Sequence, residues 1–192
     1  MLHIARQRRF ISTFYELFPK TFPKKSPEWA FDHRQLRKEY RNLQAEHHPD
    51  MVGGNASESG QNDGNHSSLL NKAYHTLKEP LSRSQYMLKL VHNLDLTQEH
   101  LAQKIMQSDP SLLMQVLDTH EQLEEVQNEE DVRAIDKENK CRVKEIESRL
   151  QECYKNEDYD MAARLTVELK YWVNLAKAIK EWQPGKPVTV TH

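Results

Sequence analysis

Glycine and proline are scarce in this chain: of 192 residues only 5 are Gly and 8 are Pro. Four of the five glycines fall between Gly53 and Gly64, and from Ser111 to Gln183 there is neither residue. A strand-rich fold needs turn residues about every 8 to 12 positions, so this stretch excludes one and requires long helices. Cysteine is almost absent. Cys141 and Cys153 share no CxxC or His-spaced pattern and read as free thiols of a reducing compartment, not as metal ligands. No apolar run approaches the roughly 18 residues that span a bilayer, so no membrane partner is expected. A large net charge is also missing. The formal charge of −2 argues against a general polyanion binder, so nucleic acid is not expected as a partner. That small sum hides an asymmetry: residues 1–50 carry ten Lys/Arg against six Asp/Glu, residues 121–160 seven against fourteen. With 37% hydrophobic and 29% charged residues, two slim helical domains fit better than one thick core.

What is present begins with a basic start. Arg6, Arg8 and Arg9 precede the first acid, Glu16, and Leu2, Ile4, Ala5 and Phe10 supply an opposing apolar face. Mitochondrial import reads such acid-free amphipathic starts, so residues 1–12 are a candidate presequence and the expected location is the mitochondrial matrix. Thr13 and Glu16 have capping-box spacing, and Pro19 stops the short helix they open. Pro23 and Pro27 are expected to keep the chain extended. Asp32 is a candidate N-cap for a helix to about His47, with Leu36, Tyr40 and Leu43 on one face and Arg34, Arg37, Lys38 and Arg41 on the rest.

Pro49 ends that helix, and residues 51–68, rich in Gly, Asn and Ser, read as a long mobile loop. A helix with Leu70, Ala73, Tyr74 and Leu77 on its stripe follows, then one starting at Pro80 and carrying Tyr86, Met87, Leu90 and Val91. Asp95 and Thr97 can cap a short helix. The periodicity then predicts helices at roughly 110–127, 129–155 and 159–182, opened at Asp109-Pro110. Val132, Ile135, Val143, Ile146, Leu150 and Cys153 form one seam, and Ala162, Leu165, Leu169, Trp172, Ala176 and Ile179 form another, as in an antiparallel bundle.

The most informative triplet is His48-Pro49-Asp50, set between the basic helix and the glycine-bearing loop. Pro49 fixes the exit from the helix; His48 and Asp50 place a donor/acceptor pair and a negative charge at one corner. A metal site built from His47, His48 and Asp50 lacks a second ligand cluster. A general-base His lacks a nucleophile, phosphate loop or carboxylate pair elsewhere, so neither enzyme nor metal centre is expected. The arrangement resembles the J-domain, with which DnaJ-type co-chaperones engage DnaK-type (heat-shock 70 kDa) ATPases. That resemblance assigns Arg34, Arg37, Lys38 and Arg41, with His48, Pro49 and Asp50, to the chaperone partner.

The stretches FYELFP, RKEYRNLQAEHHPD, LNKAYHTLKEPLSRSQYML and LTVELKYWVNLAK extend the resemblance to the HscB-type J-proteins of iron-sulfur cluster biogenesis, most like the fungal mitochondrial members. It implies an all-α, L-shaped protein without a cofactor: a J-domain over 13–93 and a C-terminal three-helix bundle over 97–183 that holds an IscU-type scaffold protein. In that family the scaffold is delivered to the chaperone, whose ATPase the J-domain stimulates. The scaffold contact carries over to Leu112, Leu113, Leu117 and Tyr171, rimmed by Gln115, Asp118, Glu121, Gln122 and Glu125. A helical wheel gives independent support. Val116 and Leu123 fall within roughly 40° of Leu112, a core stripe, whereas Leu113 and Leu117 lie about 100° and 140° away. Gln115 departs from relatives with a basic residue there and cannot supply its charge steering. The alternative is a helical adaptor with no ATPase partner.

Overall fold

The computed structural model describes residues 13–46 and 60–184, with the backbone alone over 60–65. Among these residues there are seven α-helices, one short 3-10 helix and no strand. The helices are α1 (His33–Glu46), α2 (Gly60–Lys78), α3 (Pro80–Val91), α4 (Glu99–Gln107), α5 (Pro110–Glu125), α6 (Glu129–Lys155) and α7 (Tyr159–Glu181). The fold is all-helical, as expected. None of these helices is long and apolar enough to cross a membrane. The chain divides into two compact units, Met1–Lys78 and Glu79–His192.

The first unit is a helical hairpin, α1 on α2, with the 3-10 helix Phe14–Leu17 packed against α2. The carboxylate of Asp32 accepts from the amides of Arg34 (2.8 Å) and Gln35 (3.2 Å), the N-cap expected of it. Leu70, Ala73, Tyr74 and Leu77 of α2 are all buried. Residues 18–25 are not an extended linker. They fold through successive tight turns, with Phe22 N–H on the Phe18 carbonyl and Lys25 N–H on that of Phe22. Those turns deliver Phe18, Phe22 and Trp29 to the core beside Tyr15, with Tyr15 on Phe22 and Phe22 on Phe31 edge to face at 4.9 Å. Their anchor is Glu39, 4% exposed on the inner side of α1. Its carboxylate accepts from the amides of Lys20 and Thr21 at 2.8 Å and from the Thr21 hydroxyl at 2.7 Å.

Helix α2 starts at Gly60, so the second part of the stretch expected to be a loop is helical. Gly, Asn and Ser are poor helix formers by about 0.5 to 1 kcal/mol each, but packing overrides that preference. Gln44 of α1 accepts from the Ser67 hydroxyl (2.8 Å) and donates to the Ser67 carbonyl (3.1 Å) and to Asn71 (2.9 Å), holding this polar stretch to its neighbour.

In the second unit α3, α4, α5 and α6 all pack on α7. The three long helices start and stop within two residues of expectation. Asp109 caps α5 and Asp158 caps α7, each accepting an amide at 3.1 Å. Between α6 and α7 the chain reverses over Asn156, Glu157 and Asp158. Glu157 takes φ 58°, and Asp158 N–H reaches back to the Cys153 carbonyl at 2.9 Å, closing the end of α6 as a Schellman motif does. The stripe expected for α7 held one face only. Ala163, Thr166, Val167, Leu175 and Ala178 are buried as well, while Ala176 of the stripe is half-buried and Met161, Arg164, Lys177 and Lys180 are exposed. Along α6, buried Asn139 fills the seam between Ile135 and Val143 and donates to the Trp172 carbonyl at 3.0 Å.

Helix α3 buries Arg83, Ser84, Met87 and Leu88, while Val91, expected on its stripe, is 38% exposed. The Ser84 hydroxyl bonds to those of Tyr154 (2.6 Å) and Thr166 (2.5 Å), tying α3 to α6 and α7 through a buried polar cluster. Burial pushes the Tyr154 phenol well above its usual range, so it stays a donor. Burial likewise raises the Glu147 carboxyl, partly offset by Arg83.

Asp95 does not cap α4, which begins after Gln98. It organises the preceding turn instead, accepting from Lys89 Nζ (2.6 Å) and from Thr97 Oγ1 (2.5 Å). The Lys89 bond, then that of Thr97, lowers its pKa to about 2. A carboxyl depressed on folding stabilises above its unfolded pKa of about 3.9 and loses that contribution as pH falls toward its folded value. Lys89 is largely solvated, so the pair is worth at most about 1 kcal/mol. Asp95→Asn is expected to lower the melting temperature at pH 7 by roughly 2–4 °C. That gap narrows below pH 4; a difference unchanged down to pH 2.5 would refute the assignment.

Candidate functional site

Two exposed surfaces of opposite character stand out, one in each unit. On α1, Arg34, Arg37, Lys38 and Arg41 are exposed, and among the described residues none of them forms an ion pair. Glu39, the nearest acid on the same helix, is turned inward to the Lys20 and Thr21 amides. The four cations therefore lie close together without local neutralisation, an arrangement that attracts anionic groups. Behind them Tyr40 stacks on Tyr74 of α2, ring centroids 4.1 Å apart and 8° from parallel, and donates to Asn71. This stack fixes the spacing of the hairpin. A groove of about 440 Å³ opens beside the basic face, lined from α1 by the four cations, His33, Leu36 and Asn42, and from α2 by Tyr74 and Lys78. His48, Pro49 and Asp50 follow α1 directly in sequence but lie outside the described residues, as do His47 and residues 1–12.

The second surface is on α5. Leu112, Val116, Thr119 and Leu123 face the core, and the next positions round the helix are open: Leu113 is 43%, Leu117 47% and Met114 58% exposed. Three large apolar side chains on two turns of one helix make an apolar patch that a soluble surface rarely carries without a partner. Gln115, Asp118, Glu121, Gln122 and Glu125 are all exposed around it, giving a polar and mostly acidic rim. Leu112, assigned to the scaffold with them, is only 8% exposed and belongs to the core stripe. Tyr171 on α7 is partly exposed, beside Trp172 at 1%. Trp172 is held from the other side by Arg142, whose guanidinium lies 4.7 Å over the indole.

The start of α5 is fixed electrostatically. The Asp109 carboxyl lies below its usual range because it accepts from the Ser111 hydroxyl (2.6 Å) and the Leu112 amide, with Arg164 adding a favourable charge. This N-cap sets the rotation that turns Leu112 inward and Leu113 outward. Met114 was not singled out in the sequence, although the same wheel places it about 200° from Leu112 and so opposite the core. No group of three or more His, Cys, Asp or Glu able to hold a metal ion occurs among the described residues.

Residues 27–86 match the DnaJ domain family and residues 108–180 the family described as HSCB C-terminal oligomerisation domain. The chain is 56% identical, over the full length of both proteins, to the J-type co-chaperone JAC1, mitochondrial, of Saccharomyces cerevisiae. It is 28% identical over 149 residues to the human iron-sulfur cluster co-chaperone protein HscB, covering 78% of this chain and 61% of that one. A solved structure of Saccharomyces cerevisiae Jac1 superposes with a TM-score of 0.81, covering 95% of this chain and all of the other. Human HscB does so with 0.74 at 25% identity, over 88% and 81%. Both surfaces described above lie within the two matched regions, and with identity of this extent the chain belongs to the HscB/Jac1 family of J-type co-chaperones.

Proposed function

We propose that this co-chaperone binds an IscU-type iron-sulfur scaffold protein on the α5 face and presents it to a DnaK-type chaperone in the mitochondrial matrix. The chaperone is met by the basic face of α1 and by His48-Pro49-Asp50, and its ATP hydrolysis is stimulated. The observation that carries this reading is the open Leu113, Met114 and Leu117 patch on a helix whose other side is fully committed to the core. The co-chaperone performs no chemistry on ATP in this scheme. It accelerates hydrolysis by binding the hydrolysis-competent state of the chaperone more tightly than the resting state; binding both equally would shift nothing. Arg34, Arg37, Lys38 and Arg41 supply long-range attraction to an acidic surface, which sets on-rate and salt dependence more than final affinity. The apolar patch supplies the slow-release contact, with Asp118, Glu121 and Glu125 fixing its orientation at the rim.

The test is a titration of the purified full chain into a mitochondrial DnaK-type chaperone with and without purified scaffold. Single-turnover ATP hydrolysis is expected to rise several-fold with the chain alone and further with scaffold, and the half-maximal concentration should increase with salt. A hydrolysis rate that the chain leaves unchanged at any concentration would leave a helical adaptor as the better reading.

A further inference from the structure

We propose that Arg142 is a positioning residue of the scaffold site: its guanidinium joins the three long helices of the second unit and holds the Leu113 and Leu117 patch of α5 and Tyr171 of α7 at one fixed spacing. The inference rests on the function proposed above, which gives the scaffold both halves of that site.

The site is split between two helices. A partner that grips Leu113 and Leu117 on α5 together with Tyr171 on α7 must find them at a constant separation, or it loses one contact as it makes the other. Arg142 projects from α6 toward both. Its Nη1 donates to the Thr119 hydroxyl on α5 at 3.4 Å, its Cζ lies 4.7 Å from the ring centroid of Trp172 on α7, and its Nη2 donates to Glu138 one turn back on α6. Both anchor points adjoin the site. Thr119 follows Leu117 on the same turn of α5, and its hydroxyl also donates to the Gln115 carbonyl at 2.8 Å; Trp172 directly follows Tyr171.

Polar groups stand here where an apolar seam would otherwise run. Thr119, 5% exposed, interrupts the stripe of Leu112, Val116 and Leu123, and buried Asn139, one turn before Arg142, donates to the Trp172 carbonyl at 3.0 Å. Apolar side chains would pack these positions at least as firmly, whereas directed polar contacts fix rotation and register. The three-way contact also needs arginine. A planar guanidinium stacks on an indole while its separate N–H groups donate, but a lysine ammonium is a single point of charge. The Arg142 side chain is 30% exposed, so its removal opens no sealed cavity and the bundle is expected to survive it.

The test measures the affinity of the purified full chain for an IscU-type scaffold protein by calorimetry, in a double-mutant cycle between Arg142→Met and Tyr171→Ala. Arg142→Met keeps an unbranched apolar stem beside Trp172 and is expected to bind scaffold about tenfold more weakly, with its cooperative melt and its scaffold-free ATPase stimulation retained. Tyr171→Ala should weaken binding about tenfold in the wild-type chain but less than about threefold beside Arg142→Met, because the ring is then no longer held where the scaffold meets it. Arg142→Lys should not restore affinity. Thr119→Val removes the acceptor with almost no change of shape and should cost about threefold, which reports on the clamp even where Arg142→Met folds poorly. Strictly additive losses, or wild-type affinity in Arg142→Met, Arg142→Lys or Thr119→Val, would overturn the proposal. A wild-type chain that binds no scaffold would instead overturn the reading on which it rests, and the proposal with it.

Discussion

Replacing Leu113, Leu117 and Tyr171 together by alanine is expected to weaken scaffold binding about 100-fold while leaving chaperone ATPase stimulation without scaffold unchanged. The converse variant, His48→Gln, should bind scaffold normally and stimulate hydrolysis no more than buffer. The first expectation follows from exposure. Leu113 and Leu117 are 43% and 47% exposed, so truncating them opens no core cavity, and the loss falls on the complex. A 100-fold change corresponds to about 2.7 kcal/mol, the size of one or two hot-spot contacts. Leu112→Ala is the control. At 8% exposed it should cost about 2–4 kcal/mol of stability, so its scaffold defect should track unfolding. Calorimetric binding beside single-turnover hydrolysis decides the matter: if each variant lost both activities to the same degree, two separate surfaces would be the wrong picture.

Glu39→Ala is expected to destabilise the first unit by about 3 kcal/mol, a large share of what a domain this small possesses. The carboxylate makes three hydrogen bonds, to two amides and a hydroxyl, and each bond to a charged acceptor is worth about 1.5–3 kcal/mol. Not all of it is lost, since water can reach the Lys20 and Thr21 amides once the turns loosen. Glu39→Gln keeps one acceptor oxygen and should cost about half as much. Urea unfolding followed through the Trp29 indole, buried by the same turns, is the measurement. A midpoint for Glu39→Ala equal to that of the wild type would remove the carboxylate from the list of what holds residues 18–31 in place. Because Arg34, Arg37 and Arg41 share α1 with Glu39, looser turns should also weaken ATPase stimulation without touching the basic face directly.

The long helices were legible because periodicity and caps agree there. Asp32 and Asp109 each cap the helix expected of them, and Leu70, Leu77, Leu123, Leu150 and Leu165 are buried as the stripes require. The exposure of Leu113 and Leu117 was readable for the same reason: a helix has room for only one core stripe. What escaped depends on contacts distant in sequence. Pro23 argues for extension locally, but the turns of residues 18–25 are held by Glu39, which accepts the amides of Lys20 and Thr21 from 19 and 18 positions away. Glycine and asparagine argue against helix at residues 60–68, yet Gln44 grips Ser67 and Asn71 from another helix. Ser84 reads as a polar surface residue until Tyr154 and Thr166 meet it. The groove is of this kind too, since Lys78 and the α1 cations are some 40 residues apart and the packing of α1 on α2, with its Tyr40 and Tyr74 stack, brings them together.

Helix α7 carries buried residues well beyond one stripe, and the helices it joins, α3 to α6, all precede it in the chain. A ribosome releases a chain at about 5–20 residues per second, N-terminal end first. Four amphipathic helices therefore wait several seconds before the segment that covers their apolar faces has been made. During that interval α1 can already pack on α2, while the helices of the second unit lack the one on which all four of them pack. The second unit therefore closes its core late, only once the chain beyond residue 159 has been made.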